Sequence, residues 1–472
     1  MKTLMHRLAP LAVSLSLLAG MPAAQATLII PGGDRSACPD NAFNACYLGV
    51  DGATAATLVA NTSNSFTFLG LGVQSSELPA VAFPAGGQGS STPSGQLTLQ
   101  SGSTFTVTGP VNPLRPFDTS TIVGLGNNST GSMFVNGGHL LTPLLLIGQQ
   151  DARVSNGSVT VANGGTIVVN IDSGPTGSVP GQTGIGIGRG LGSTGALYVD
   201  NAGASVSTTG SSVSIGRAGN GMLQVTGGAS FTSAGSIYAS AADPAGVSSI
   251  LVTSAGSTLN LGAGGNLLLG IATTGAGLNL GFDPTSTAHG TATLNVTNGA
   301  SVHGDVVLGA GGTVSGTGTI VGNLSNYGGT LSPGNSPGTL HVAGNFLMQG
   351  GTYLVEVGGT GPGMTDLLDV TGTASLTNAT ILFSFIHGFA PSAGFTFNFL
   401  QAAQGLSFAN LTFATQGLLP NFTFTTGQAN GGFAFTATSN GVAVPEPETL
   451  PLLLGGLFGA MAIACRKRQT MR

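Results

Sequence analysis

The chain has 472 residues, 41% of them apolar and only 6% charged, with 80 glycines, 23 prolines, no tryptophan and a formal net charge of −5. That apolar content sets it apart from disordered chains, which are typically charged and poor in aliphatic residues, and its length is enough to bury a sizeable core. Between residues 27 and 443 there is no lysine, and the arginines are Arg35, Arg115, Arg153, Arg189 and Arg217; nucleic-acid binding, a Schiff-base lysine and a phosphate-loop lysine are therefore excluded for the body.

In chain order, Lys2 and Arg7 precede a mostly apolar stretch over residues 8–19, and Ala24-Gln25-Ala26 follows. This is the three-part pattern of a secretory signal peptide over residues 1–26, with the peptidase reading Ala24 and Ala26. The apolar core is short for a spanning helix, and a retained N-terminal anchor is the alternative. Export gives Cys38 and Cys46 a meaning: in an oxidising compartment such a pair closes a local disulfide worth about 2–3 kcal/mol. Two free thiols are the alternative, and the spacing fits neither a redox pair nor a zinc knuckle. Residues 27–95 read as an N-terminal cap ending in a Gly/Ser/Pro linker.

Over residues 96–350 short phrases recur. VNGG at Val135, VANGG at Val161, VDNAG at Val199, VTGGA at Val225, VTSAG at Val252 and VTNGA at Val296 are spaced by 26, 38, 26, 27 and 44 residues. Three intervals agree, and two carry an insertion of 12 or 18 residues. A second phrase ends in Ile-Gly or Leu-Gly, at Ile147, Ile187, Ile215, Leu269 and Leu308. Strands this short cannot bury a face alone, but stacked coil on coil they share one aliphatic core. We expect an all-β, right-handed parallel β-helix of ten or so coils, roughly 50 Å long. An antiparallel sandwich is the alternative.

Residues 351–443 change character. Twelve phenylalanines lie between Phe383 and Phe435, many in strict alternation, which puts each set on one strand face. A small Phe-rich β cap over the solenoid end is expected, with an exposed aromatic platform for sugars as the rival.

The run GTVSGTGTIVGNLSNYGGTLSPGNSPGTLHVAGNF from Gly312, with GTYLVEVGG at Gly351 and DLLDVTGTASL at Asp366, resembles the β-helical passenger regions of bacterial autotransporter adhesins. The resemblance implies an adhesin-like rod. The chain departs from that family in having too few residues left for a terminal membrane barrel.

Catalytic motifs fail on physical grounds. Gly190, Gly192 and Gly195 fit a dinucleotide fingerprint without the surrounding βαβ unit. Gly334, Ser336 and Gly338 fit a nucleophile elbow, yet Pro337 lacks the N–H that an oxyanion hole needs. Asp151, Asp172, Asp200, Asp243, Asp283 and Asp305 are scattered, and Asp366 and Asp369 read as turn and strand-edge residues. Arg189 and Arg217 each follow an Ile-Gly and read as an outward ladder, with a ligand clamp as the alternative. His139, His289, His303, His341 and His387 lack metal-ligand spacing. No catalytic residue, metal or cofactor is expected.

The chain closes with Pro445-Glu446-Pro447, an apolar run over residues 450–465 and the basic cluster Arg466, Lys467, Arg468. As a helix the run spans about 24 Å against a hydrocarbon core near 30 Å, which snorkelling accommodates, and the basic cluster stays cytoplasmic. This order over residues 444–472 resembles the PEP-CTERM sorting signal. The resemblance implies an inner-membrane-anchored precursor cut by an exosortase-like protease and passed to the cell surface or outside, often alongside exopolysaccharide; a permanent single-pass anchor is the alternative. The combined expectation is a non-enzymatic structural or adhesive protein of the envelope or matrix, with glycans as candidate partners. The alternative is a glycan-processing β-helix enzyme.

Overall fold

The computed structural model describes residues 28–29, 37–38 and 45–443, apart from 51–55, 61–63, 67, 74–93, 109–119, 127, 150–153, 171–182, 241–243, 275–280, 284–285, 287 and 430. Among them every helix or strand assigned is a strand. The chain visits three sheets in strict rotation. Ala45–Val50 opens sheet I, Ala56–Ala60 sheet II and Asn64–Phe66 sheet III; Phe68–Val73 then returns to sheet I, parallel to the first strand. Among the described residues sheets I and II each hold 13 strands and sheet III holds 14. At the usual strand spacing this is a shaft about 60 Å long.

The sequence phrases are the register of this stack. Val135, Val161, Val199, Val225, Val252 and Val296 pair one to the next in sheet II, and all six are fully buried. In sheet I the column runs Ile147, Ile187, Ile215, Ala239, Leu269, Leu308. Parallel pairing at every coil rules out the sandwich. The two long intervals are corner insertions. Residues 171–182 lie between Thr166–Asn170 of sheet III and Thr183–Ile187 of sheet I. The longer insertion, between Asn266–Leu269 of sheet I and Thr291–Thr297 of sheet II, contains the antiparallel pair Ala272–Thr274 and Gly281–Asp283.

The parallel ladder extends beyond residues 96–350 at both ends. It begins at Ala45–Val50 and runs through Thr412–Gln416, so the expected boundaries at 95/96 and 350/351 fall inside it. The reason is physical: register is set strand by strand, whereas the sequence period needs corners of constant length. Ala56 pairs with Gly95, and Gly95 with Gly131, across corners too unequal to show a repeat. Likewise the alternating phenylalanines do not form a separate layer from residue 351. Phe383 and Phe385 are inward positions of an ordinary coil, Thr380–Phe385. Past Thr412–Gln416 the described chain leaves the rotation: Gly432–Ala437 pairs antiparallel with Thr396–Ala402 of sheet III, and Phe424–Ala429 pairs antiparallel with Gly432–Ala437.

The Ile-Gly phrases explain the corner between sheets I and II. Gly188 has φ +61, and an added Cβ would lie 2.0 Å from the Asn220 carbonyl oxygen of the next coil. The same left-handed conformation and close approach recur at Gly72, Gly124, Gly148, Gly216 and Gly270, so a glycine seam climbs the shaft. Ser240 (φ +51) takes the place of glycine in one coil. Its Oγ lies 2.6 Å from that of Ser248, which donates to the Ile215 carbonyl. We expect Gly188→Ala to destabilise the protein by about 3 kcal/mol or more, combining left-handed strain with a backbone clash. Gly164, with φ +77 and nothing within 4 Å of an added Cβ, isolates the strain alone: Gly164→Ala should cost about 1 kcal/mol. Urea unfolding of the two variants checks the difference; equal losses would contradict the close approach.

Candidate functional site

Inward positions are taken up by the aliphatic columns, so chemistry is left to the outer faces, the corners and the ends. On sheet III one outward column reads Thr104, His139, Thr166, Ser205, Ser230, Thr258, Ser301, Thr319. Hydroxyl-bearing residues repeat at the coil spacing of about 4.8 Å, and the His139 ring nitrogen lies 2.7 Å from the Thr166 hydroxyl. Apart from His139, such a column offers uncharged hydroxyl donors and acceptors.

The carboxylates have structural partners. Asp305 Oδ1 accepts the backbone N–H (2.8 Å) and the Nδ2–H (3.1 Å) of Asn323. Asn323 Oδ1 accepts from the Asn345 N–H, and Asn345 Oδ1 accepts from the Thr373 N–H and hydroxyl. This ladder stitches four coils at the corner between sheets III and I. Asp369 lies 3.0 Å from His341 Nδ1 on the neighbouring strand, with both side chains about half exposed. Asp200 accepts from Asn201, while Asp151, Asp172 and Asp243 lie outside the described residues.

Asp366 is different. It is fully buried at the corner between sheets II and III. Its Oδ1 accepts the Gly338 N–H and its Oδ2 the Glu356 N–H, each at 2.8 Å. The loop 334–338, where the nucleophile-elbow pattern lies, is thus a corner clasped by a carboxylate; Gly334 (φ +93) and Ser336 (φ +71) make the turn. Burial pushes the Asp366 carboxyl up to about 7, and the Glu356 carboxylate adds to the rise against the two N–H bonds. Tyr353, fully buried, donates its hydroxyl to the Phe399 carbonyl; burial and the Asp366 charge hold its pKa well above the usual value.

A raised carboxyl pKa means that between about pH 4 and 7 the folded chain keeps a proton that the unfolded chain has lost. Stability from this group is therefore full below about pH 4 and falls as pH rises to about 7, by up to about 4 kcal/mol. Asp366→Asn cannot titrate. We expect it to remove that slope while leaving one N–H short of an acceptor, as read from denaturation midpoints at pH 5 and 8. A variant with the wild-type slope would contradict the assignment.

The other expected site residues divide as follows. Cys46, fully buried, is disulfide-bonded; the side chain of Cys38 lies outside the described residues, as do Ala24, Ala26, Pro445, Glu446, Pro447, Arg466, Lys467 and Arg468. Arg189 and Arg217 occupy equivalent places on successive coils, each two residues past the paired Ile187 and Ile215. Arg217 is exposed, whereas the Arg189 stem lies over Gly186, where a Cβ would come within 2.5 Å of it. Among the described residues no group of three His, Cys, Asp or Glu could hold a metal ion. No helix among them is long and apolar enough to cross a membrane.

The family model of the PEP-CTERM protein-sorting motif matches residues 443–469, and no curated protein matches the chain. The chain therefore carries that sorting motif on a β-helical body. The motif marks proteins that are exported, held by a C-terminal membrane segment, and then cut and released to the surface or beyond by exosortase-like machinery.

Proposed function

We propose that the protein is a non-enzymatic structural or adhesive rod of the cell envelope or extracellular matrix, delivered there by its sorting tail and associated with exopolysaccharide or other surface glycans. The observation that carries this reading is the continuous stack with a bland exterior. Most aliphatic side chains are turned inward, the sheet III face presents a column of hydroxyls interrupted by His139, and Asp305 and Asp366 are bound to backbone N–H groups. A neutral hydroxyl column suits a polyhydroxylated partner, exchanging hydrogen bonds without a charge to desolvate.

Asp366 supports the second reading, a glycan-processing enzyme, because a carboxyl raised to about 7 beside Glu356 resembles a general acid. It ranks below the first because both Asp366 oxygens are engaged and buried. Incubating the purified protein with a panel of envelope glycans separates the two. Retention of a glycan without cleavage is expected; new reducing or unsaturated ends would move the assignment to the enzyme.

A further inference from the structure

The apolar core of the shaft is incompletely covered at its C-terminal pole. Phe408 aligns with Leu376 of the preceding coil and so takes an inward position, yet Leu376 is 0% exposed and Phe408 42%. The antiparallel hairpin covers the end of sheet III, stacking Phe433 on Phe408 at 4.5 Å. It leaves Leu406–Ala409 and Thr412–Gln416 as the final strands of sheets I and II. Three residues past Gln416, Leu419 is 44% exposed, and Val442, whose carbonyl accepts the Leu419 N–H at 2.8 Å, is 58% exposed.

Two further facts bear on what covers this pole. Ala443 is bridged to Leu418, so the chain leaves the body here, and residues 444–449 lead to the apolar run that starts at Leu450. Fully extended, that connection reaches about 25 Å at most. Between Asp369 and Glu446 there is also no Asp, Glu, Lys or Arg, so the pole can approach a low-dielectric surface without stripping water from a charge.

We propose that the C-terminal pole is a lipid-facing surface, resting on the bilayer that holds the uncut tail, with Phe408, Leu419 and Val442 at the headgroup–acyl boundary. This deepens the reading of residues 450–465 as a membrane segment and rests on it.

Because the chain has no tryptophan, single reporters can be placed in the full-length protein reconstituted in phosphatidylcholine vesicles, with and without brominated acyl chains. Leu419→Trp and, independently, Val442→Trp report the pole; Tyr198→Trp reports the outer face of sheet II in mid-shaft, and Phe458→Trp the tail. Brominated lipid should roughly halve the emission at the two pole positions, as at an interfacial depth of about 5–10 Å. It should quench Phe458→Trp and leave Tyr198→Trp unchanged. Quenching at Phe458→Trp without quenching at the pole overturns the inference and leaves the tail assignment standing. No quenching at either overturns both. A pole reporter shielded from brominated lipid and aqueous iodide alike, in a chain that cross-links as a dimer, assigns the pole to a second copy and overturns the inference too.

Discussion

Val225→Asp should break the shaft in its middle. Val225 is fully buried between its column neighbours Val199 and Val252, so the substitution forfeits the valine's burial and places a carboxyl where its surroundings are aliphatic. That group must take up a proton or remain charged and unsolvated. Together the terms amount to about 5 kcal/mol, at the extreme of single-substitution effects. Each coil contacts only its neighbours, so stability is a sum of local and interface contributions. The damage should therefore spread from the centre, with hydrogen exchange accelerating first in Thr194–Asp200 and Val247–Thr253 and a second transition appearing on denaturation. A loss below about 1 kcal/mol would mean that Val225 is not in a shared core.

Phe383→Ala should release the lid. The Phe383 ring packs edge-on against Phe399 at 5.2 Å, Phe424 at 5.7 Å and Phe435 at 4.7 Å, joining the last full coil to the antiparallel hairpin. Its removal leaves a cavity beneath the hairpin and costs about 3–5 kcal/mol. Exchange protection should fall in Phe424–Ala429 and Gly432–Ala437 while the valine column keeps its own. Unchanged protection in the hairpin would show that it is held by its strand pairing alone.

The middle of the stack is legible in the sequence because equal corners turn register into period, as at Val199, Val225 and Val252. Where coil length changes, to 39 and 36 residues at the N-terminal end and to 20, 17 and 22 between Thr293 and Thr352, period and register part company, so the strands at Ala45–Val50 and Thr380–Phe385 are hidden although they pair in the same way. The phenylalanine alternation correctly places side chains on one face. It does not reveal that this face continues the existing core, since an inward position and a capping layer have the same period of two. Asp366 escapes for another reason: its acceptor role depends on Gly338 and Glu356, 28 and 10 residues away, and only folding brings their N–H groups to one carboxylate. The tail is the reverse case. Its function is carried by residue order alone, and residues 443–469 match a sorting motif without any geometry.

The central claim is that distance along the shaft counts coils rather than residues. Spin labels at Thr98 and, in turn, Gln224, Asn295 and Ser332 follow one outward column of sheet II. In a Cys465→Ser background, pulsed electron–electron distances should lie near 19, 29 and 38 Å, rising by about 4.8 Å per strand. The steps from Gln224 to Asn295 and from Asn295 to Ser332 differ nearly twofold in sequence length, yet each should add about 10 Å. Distances that follow sequence separation, or that fail to rise along the series, would contradict the stack.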